Sequence, residues 1–200
     1  MILPDGYIDV PAGKQAAVVT SLQMTARPEP RPEAPADRWS LRRVGRPDLD
    51  WYRGLYRRVG QDWLWFSRAS MPDGTLAAIL HSPAVEVYAF EIDGQPEGLL
   101  ELDFREPGEC ELAFFGLTGM AQGTGAGRWL MNRTIESAWS HPISRFWVHT
   151  CTFDHPAALA FYRRSGFVPF RQQIEIADDP RLTGALPRNA APQVPIIDPS

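Results

Sequence analysis

The stretch Cys110–Gly127, CELAFFGLTGMAQGTGAG, decides the fold. A strand-like run, Glu111–Leu117, leads into a short loop with glycines at 123, 125 and 127, and a helix-like run, RWLMNRTIESAW, follows. Glycine lets the backbone approach a ligand closely, because no Cβ stands in the way. The first N–H groups of a helix have no internal partner and carry the positive end of the helix dipole. We therefore predict a phosphate-binding site on residues 122–128.

The sequence on either side predicts a mixed sheet. Upstream, an antiparallel meander is expected, with Asp93-Gly94 as a hairpin turn and strands at Val85–Ile92, Gly98–Phe104 and Cys110–Leu117. Downstream, the pattern predicts a helix from about residue 125 to Trp139, then a strand, a helix and a strand at Arg145–Thr152, Pro156–Ser165 and Phe167–Ile176. The first of these strands should run parallel to its predecessor, because a helix connects them. The fold class is therefore α/β (α+β), a mixed central sheet with an antiparallel meander and flanking helices.

Both ends of the chain look different from the middle. The pattern of residues 1–37 predicts an N-terminal extension, with an extra strand at Gln15–Ala26 and a Pro-rich linker over 27–37. A short strand and two helices should follow at Trp39–Val44, Pro47–Val59 and Asp73–Leu80. Residues 177–200 are Pro-rich and predict a surface tail. The chain thus divides into 1–37, 38–176 and 177–200, with the middle part as the domain proper.

Composition narrows the function classes. The net charge is −4 and no basic block is present, so we expect no nucleic-acid partner. No apolar run approaches the roughly 18 residues that span a bilayer, and the start lacks the pattern of a signal peptide. We therefore expect no membrane association and a cytoplasmic protein. Cys110 and Cys151 fit that setting as reduced thiols.

Two motifs resemble those of the GNAT (GCN5-related) N-acetyltransferase family. The family's loop pattern, Gln/Arg-x-x-Gly-x-Gly/Ala, is matched by Gln122, Gly125 and Gly127. Its second pattern, Asn-x-x-Ala-x-x-x-Tyr-x-x-x-Gly-Phe, is matched at five positions, with histidine in place of asparagine: His155, Ala158, Tyr162, Gly166 and Phe167. The resemblance covers about residues 38–176 and implies the GNAT fold.

The resemblance implies acetyl-CoA (coenzyme A) as the cofactor. Its pyrophosphate would lie on the N–H groups of about residues 123–128, and its pantetheine arm would pair with the strand before the loop. The implied cofactor-binding residues are Phe115, Leu117, Gln122, Gly123, Thr124, Gly125, Ala126, Gly127, Arg128, His155 and Ala158.

The resemblance also implies direct acyl transfer to a primary amine. Tyr162 occupies the family's general-acid position, and Glu111 lies 11 residues before Gln122, at the spacing of a catalytic base. Glu109 lies two residues earlier, on the same strand face, and is the alternative base. The acceptor is expected to be the amine of a small molecule or of a protein. A non-catalytic acyl-CoA sensor and a protein lysine or N-terminal acetyltransferase stay open, as does a homodimer.

The run HTCTFDH, residues 149–155, contains metal-ligand residue types. A zinc site needs about four convergent ligands, so no metal is predicted here. His149 either lines the acceptor pocket or is a core histidine. The sequence leaves these two interpretations equal.

Overall fold

A mixed seven-stranded sheet runs through the computed structural model, which describes residues 5–199. The strands are β1 (Lys14–Met24), β2 (Trp39–Arg43), β3 (Val85–Ile92), β4 (Gln95–Asp103), β5 (Glu109–Leu117), β6 (Arg145–Cys151) and β7 (Val168–Asp178). The helices are α1 (Leu49–Gly60), α2 (Asp73–Leu80), α3 (Ala126–Trp139) and α4 (Ala158–Arg164), and Gln61–Trp63 forms a 3₁₀ turn.

The strand order is β2-β3-β4-β5-β6-β1-β7. The β3-β4-β5 meander is antiparallel and β6 pairs with β5 in parallel, as the sequence predicted. The β3–β4 hairpin turns at Asp93 and Gly94, with φ of 50° and 78°, the positive values that such a turn requires. The mixed sheet with flanking helices confirms the predicted fold class.

Local hydrogen bonds explain why two helices begin at residues other than those predicted from the sequence. Helix α1 begins at Leu49 rather than at Pro47, because the Asp48 side chain caps it by accepting the N–H of Trp51 at 2.9 Å. Helix α4 begins at Ala158 rather than Pro156, since the N–H of Ala158 closes a preceding turn on the carbonyl of His155 at 2.8 Å. Gly166, with φ of 102°, ends that helix in the left-handed conformation that glycine favours.

Strand β1 lies inside the sheet, antiparallel to β6 on one side and to β7 on the other. Its Leu22 and Met24 are buried in the main core. The predicted N-terminal strand therefore supplies an interior position of the sheet. Its neighbours are more than 120 residues away in sequence, where no local pattern could have located them.

Helices cover both faces of the sheet, and alternation along the strands divides the core. Leu100 on β4 packs with α3 and α4, while the adjacent Leu99 packs with α1 and α2. Phe90 and Ala89 on β3 divide in the same way. Most residues of β3 and β4 are therefore buried, on both faces of the sheet.

The C-terminal tail is held by one buried arginine. The Arg181 guanidinium is paired with Asp179 at 2.7 Å and donates to the carbonyls of Ala191 at 3.2 Å and Val194 at 2.7 Å. Burial alone would raise the pKa of Asp179, but hydrogen bonds from Arg181 and Gln15 outweigh it and lower this pKa to about 2. The tail is thereby fastened beside the Leu64 region.

Helix α1 and strand β5 approach most closely at Gly116. A Cβ built there would clash with Cγ1 of Val59 and would lie 3.0 Å from Cη2 of Trp65. We predict that Gly116→Ala lowers the free energy of unfolding by about 1–3 kcal/mol, because an overpacked site must shift its neighbours. Chemical denaturation measures this change. Gly119→Ala is the control, since nothing lies within 4 Å of its added Cβ; equal stability of the two variants would contradict the prediction.

Candidate active site

The site is the gap between β5 and β6. These parallel strands pair over only three residues each, Glu109–Glu111 with Arg145–Trp147. Beyond that point they part, and a cleft of about 650 Å³ opens between them. Residues of β5, β6, α4 and the loop before α3 line it together.

The backbone of β5 faces this gap with groups that β4 does not pair, of which the Leu117 carbonyl accepts the Gln122 side chain. The N–H of Thr118 donates to the carbonyl of Glu97 at 2.9 Å. Because partners alternate along an antiparallel ladder, the N–H and C=O groups of Phe115 and Leu117 point away from β4, toward the gap. Ala113 is an extra residue in β5 at a break in the register, which bends the strand beside the cleft.

The loop before α3 presents free backbone donors. Gly123 and Gly125 have φ of 75° and 96°, a conformation that disfavours residues with a Cβ. Among residues 5–199, no partner accepts the N–H of Gly123, Thr124, Gly125 or Gly127. The N–H of Ala126 is bound to Thr124 Oγ1 at 3.3 Å, and that of Arg128 to the Gly125 carbonyl at 3.1 Å. Four of the predicted donors are thus available and two are used within the loop.

Gln122 lies at the rim of the cleft, where its side chain donates to the carbonyl of Leu117 at 3.3 Å. His155 and Ala158 line the cleft at the start of α4. The His155 Nδ1 accepts the N–H of Ala157 at 3.1 Å, and its ring meets Trp63 edge-on at 5.0 Å. The histidine that replaces the family's asparagine therefore caps the turn before α4.

Tyr162 is buried in the cleft wall. Its ring packs against Phe115 and Phe167, with ring centroids 6.4 and 5.9 Å away. In the described part of the chain its hydroxyl has no hydrogen-bond partner. Burial, followed by the charge of Asp154, raises the pKa of Tyr162 far above its usual value, so the hydroxyl stays protonated at neutral pH.

The two candidate bases have different surroundings. Glu111 lies in the cleft, and its Oε1 is 3.5 Å from the Nδ1 of His149. Glu109 is on the same face but outside the cleft, where Arg145 holds its carboxylate at 3.1 and 3.2 Å. The structure therefore brings Glu111 to the cleft and leaves Glu109 in an ion pair beside it.

His149 lines the cleft rather than the core, with 48% of its side chain exposed. A hydrogen bond with Glu111 raises the pKa of His149, and burial opposes this less strongly. The ion pair therefore stabilises the fold below the ordinary histidine pKa of 6.5. That contribution is lost as the pH rises through the raised pKa.

A buried acid that the sequence analysis missed is bound to Arg68, which lines the cleft. Glu101 is fully buried and receives the Tyr52 hydroxyl and Nη2 of Arg68, the latter at 2.6 Å. Burial would lower the pKa of Arg68, but the charge of Glu101 outweighs it and raises this pKa. Arg68 also lies over the Phe114 ring at 5.1 Å, in the wall of the cleft. A single acid in the apolar run around residue 101 was the available signal.

Asp154 has a structural role in the same wall. It accepts hydrogen bonds from Thr150 Oγ1 at 2.7 Å, the N–H of Cys151 at 2.8 Å and Trp65 Nε1 at 3.2 Å. Burial raises the pKa of the Cys151 thiol to about 11, so it is a poor nucleophile at neutral pH. Within residues 5–199, no group of three or more His, Cys, Asp or Glu side chains is arranged to hold a metal.

None of the helices in the described part of the chain combines the length and apolar character needed to cross a membrane.

The sequence of the chain matches the Acetyltransferase (GNAT) family over residues 49–167. The chain belongs to this GNAT acetyltransferase family. No curated protein matches it.

Several solved structures share the fold. A GNAT-family protein from Novosphingobium aromaticivorans is 15% identical with a TM-score of 0.55, the match covering 84% of this chain and 67% of that one. A GCN5-related N-acetyltransferase from Sphaerobacter thermophilus is 12% identical with a TM-score of 0.58, covering 83% and 53%. An aminoglycoside acetyltransferase from an uncultured soil metagenomic sample is 18% identical with a TM-score of 0.53, covering 65% and 88%. The chain thus spans about half to two-thirds of the length of the first two proteins.

The pairing of Glu111 and His149 is directly measurable. We predict that His149 titrates above 6.5 in the intact protein and that Glu111→Gln lowers its pKa, because the charged partner is gone. Titration of the imidazole signals by NMR measures both values. Glu109→Gln is the matched control, since its carboxylate contacts Arg145 instead. An unchanged His149 pKa in Glu111→Gln would contradict the pairing.

Proposed function

We propose that this protein is an acetyl-CoA-dependent N-acetyltransferase that acts on the primary amine of a small, cationic molecule. One observation carries the proposal: the gap between β5 and β6 brings the glycine loop, the Tyr162 hydroxyl and the Glu111–His149 pair into a single cleft. The three groups come from separate parts of the chain, and each suits a different requirement of acyl transfer.

The residues in the cleft fit acetyl-CoA. The free N–H groups of Gly123, Thr124, Gly125 and Gly127 suit its pyrophosphate. The outward backbone groups of Phe115 and Leu117 suit the amides of the pantetheine arm, which would extend β5 as an added strand does. Arg128 would contribute through its side chain, because its N–H is already used within the loop.

When bound, acetyl-CoA supplies a thioester, whose C–S bond breaks as the C–N bond to the amine forms. Glu111, paired with His149, accepts the proton that an ammonium group must lose before its nitrogen can attack. Tyr162 donates its proton to the leaving sulfur; this role is supported by a hydroxyl that is protonated at neutral pH and has no hydrogen-bond partner among the described residues. The second proton lost by the nitrogen restores the Tyr162 hydroxyl. Backbone N–H of Leu117 faces the gap and is the candidate donor to the thioester oxygen.

The charges of the cleft support a cationic acceptor. Arg68 and Arg105 in the lining are neutralised by Glu101 and Asp103. Asp154, in the loop after β6, also lines the cleft and has no ion-pair partner among the described residues. Its negative charge attracts a cationic amine. The soil relative named as an aminoglycoside acetyltransferase is consistent with such an acceptor.

A cytoplasmic location is part of the proposal. It is supported by the two free cysteines, Cys110 and Cys151, which do not form a disulfide.

Calorimetric titration with acetyl-CoA, followed by a turnover screen on a panel of amines, tests this function. We expect saturable binding, and turnover that Tyr162→Phe lowers by about a hundred- to ten-thousand-fold with little change in acetyl-CoA affinity. Tyr88→Phe is the control, since Tyr88 lies outside the cleft and bonds Glu86 instead.

Each other outcome contradicts a defined part of the proposal. Absence of acetyl-CoA binding would refute the cofactor and the enzyme together. Binding without turnover of any amine would favour an acyl-CoA sensor. Turnover confined to lysine peptides would make the acceptor a protein, and full activity of Tyr162→Phe would remove that residue from the reaction.

A further inference from the structure

Three arginines without carboxylate partners lie around the glycine loop. Arg31 belongs to the Pro-rich linker, Arg128 to the first turn of α3 and Arg164 to the last turn of α4. None of them forms an ion pair with any residue in 5–199. Of the two acids that flank Arg31 in the linker, Glu33 is already bound to Arg133 and Asn132, and Glu29 forms no ion pair with any residue in 5–199.

The backbone fixes Arg31 beside Arg128. The N–H and C=O of Arg31 bond to the side-chain amide of Asn132 at 3.2 and 2.8 Å. Asn132 lies one turn after Arg128 on the same side of α3, and Nη1 of Arg128 donates to the Pro32 carbonyl at 2.9 Å. Main-chain bonds thus hold the linker on the helix and leave the Arg31 side chain uncommitted.

Arg164, on α4, is the third member of the group. It lines the same cleft as Gln122, Gly123 and Gly127. Burial, followed by the charges of Arg128 and Arg164, lowers the pKa of Arg31, in keeping with two further cations close to it. Like charges held together without an acid favour an anion between them.

We propose that Arg31, Arg128 and Arg164 bind the 3′-phosphate on the ribose of coenzyme A. This rests on the proposed function, in which the loop N–H groups take the pyrophosphate. Arg31 and Arg128 are not among the residues that line the cleft, and the ribose phosphate is the remaining anionic group of the cofactor. Charge-assisted bonds from guanidinium groups are the strongest that a phosphate receives in proteins.

Calorimetry with coenzyme A and with 3′-dephospho-coenzyme A tests the assignment on the full chain. We expect the intact protein to bind coenzyme A about ten- to a hundred-fold more tightly. Arg31→Ala should lower this ratio by about three- to tenfold through weaker binding of coenzyme A alone, because its backbone bonds to Asn132 remain and the other two arginines are still present. Arg27→Ala is the matched control, since Arg27 lies in the same linker and faces Glu136 instead.

The possible outcomes distinguish a failure of the 3′-phosphate site from a failure of the proposed function. Equal binding of both ligands by the intact protein overturns the 3′-phosphate site and leaves the cofactor intact. Equal weakening of both ligands in Arg31→Ala also overturns it, because the arginines would then serve the pyrophosphate. Binding of neither ligand refutes the proposed function itself.

A second, independent observation concerns the two edges of the sheet. Edge strand β2 is 5 residues long and ends in Arg42 and Arg43, features that discourage pairing with another chain. Edge strand β7 is 11 residues long and exposed along its length. Four of its apolar side chains are in solvent: Val168, Phe170, Ile174 and Ile176, at 64%, 43%, 50% and 55% exposure.

The charges of β7 are self-complementary in one antiparallel register. Arg171, Gln173 and Glu175 share a face, because the bulge in this strand lies before them. A two-fold axis through Gln173 places Arg171 opposite Glu175 of a second copy, twice. Neither Arg171 nor Glu175 has an ion-pair partner in residues 5–199.

We propose that a second copy of this chain pairs with β7 in this register and forms a two-fold homodimer with a continuous sheet. The unpaired backbone along 11 residues supplies the hydrogen bonds, and the apolar side chains that it exposes become covered. The two crossed Arg171–Glu175 pairs favour this register. If the second copy shifts by two residues along the strand, these opposite charges no longer face each other.

Sedimentation velocity over a range of concentrations tests the dimer. We expect the intact chain to be dimeric, Arg171→Glu to raise the dissociation constant at least tenfold, and Arg171→Glu with Glu175→Arg to restore it, since the swapped charges again pair. Arg57→Glu, on the exposed side of α1, is the control for net charge. A monomeric intact chain, or a double variant no better than the single one, overturns the proposal.

Discussion

The short parallel contact between β5 and β6 is the constraint on which the site depends. The two strands pair at three residues and then part. Backbone groups that would normally continue a ladder, those of Phe115 and Leu117, are left facing a cleft. Buried polar backbone groups require partners. The fold thus creates a binding edge in its own interior, and a ligand with amide groups is suited to complete it.

Around this gap, the surrounding elements converge from both faces of the sheet. Helices α3 and α4 both begin at the cleft, so that the glycine loop and Tyr162 share one wall. On the other face, Trp65 packs between α1 and β5 and donates to Asp154, which orders the segment after β6. The Arg181 network closes the far side, because Pro180 of the fastened tail lines the cleft. The opening is therefore maintained by packing and hydrogen bonds outside it.

Charged groups of both signs surround the cleft. Arg31, Arg128 and Arg164 form no ion pairs within residues 5–199, and the charges of the other two arginines contribute to the lowered pKa of Arg31. Asp154 lines the cleft without an ion-pair partner in the same range, and Glu111 raises the pKa of His149. In our proposals the arginines bind the phosphate of the cofactor and the acids attract the amine.

The sequence by itself determined whatever depends on neighbouring residues. Alternation indicated β3, β4 and β5, glycines marked the loop before α3, and motif spacing indicated the elements on which Tyr162 and Glu111 lie. Short-range hydrogen bonds, such as the Asp48 cap, place the helix ends within one turn of the predicted positions. These features follow from local geometry, so a local pattern could reveal them.

Only the tertiary structure decided which distant residues meet. It placed β1 between β6 and β7, paired Glu101 with Arg68, and brought Arg31 beside Arg128. It also distinguished Glu111, in the cleft, from Glu109, in an ion pair with Arg145. Each of these contacts joins residues that share no periodicity, and their free energy comes from burial and charge pairing across the assembled sheet. The periodicity of the sequence therefore cannot predict these contacts.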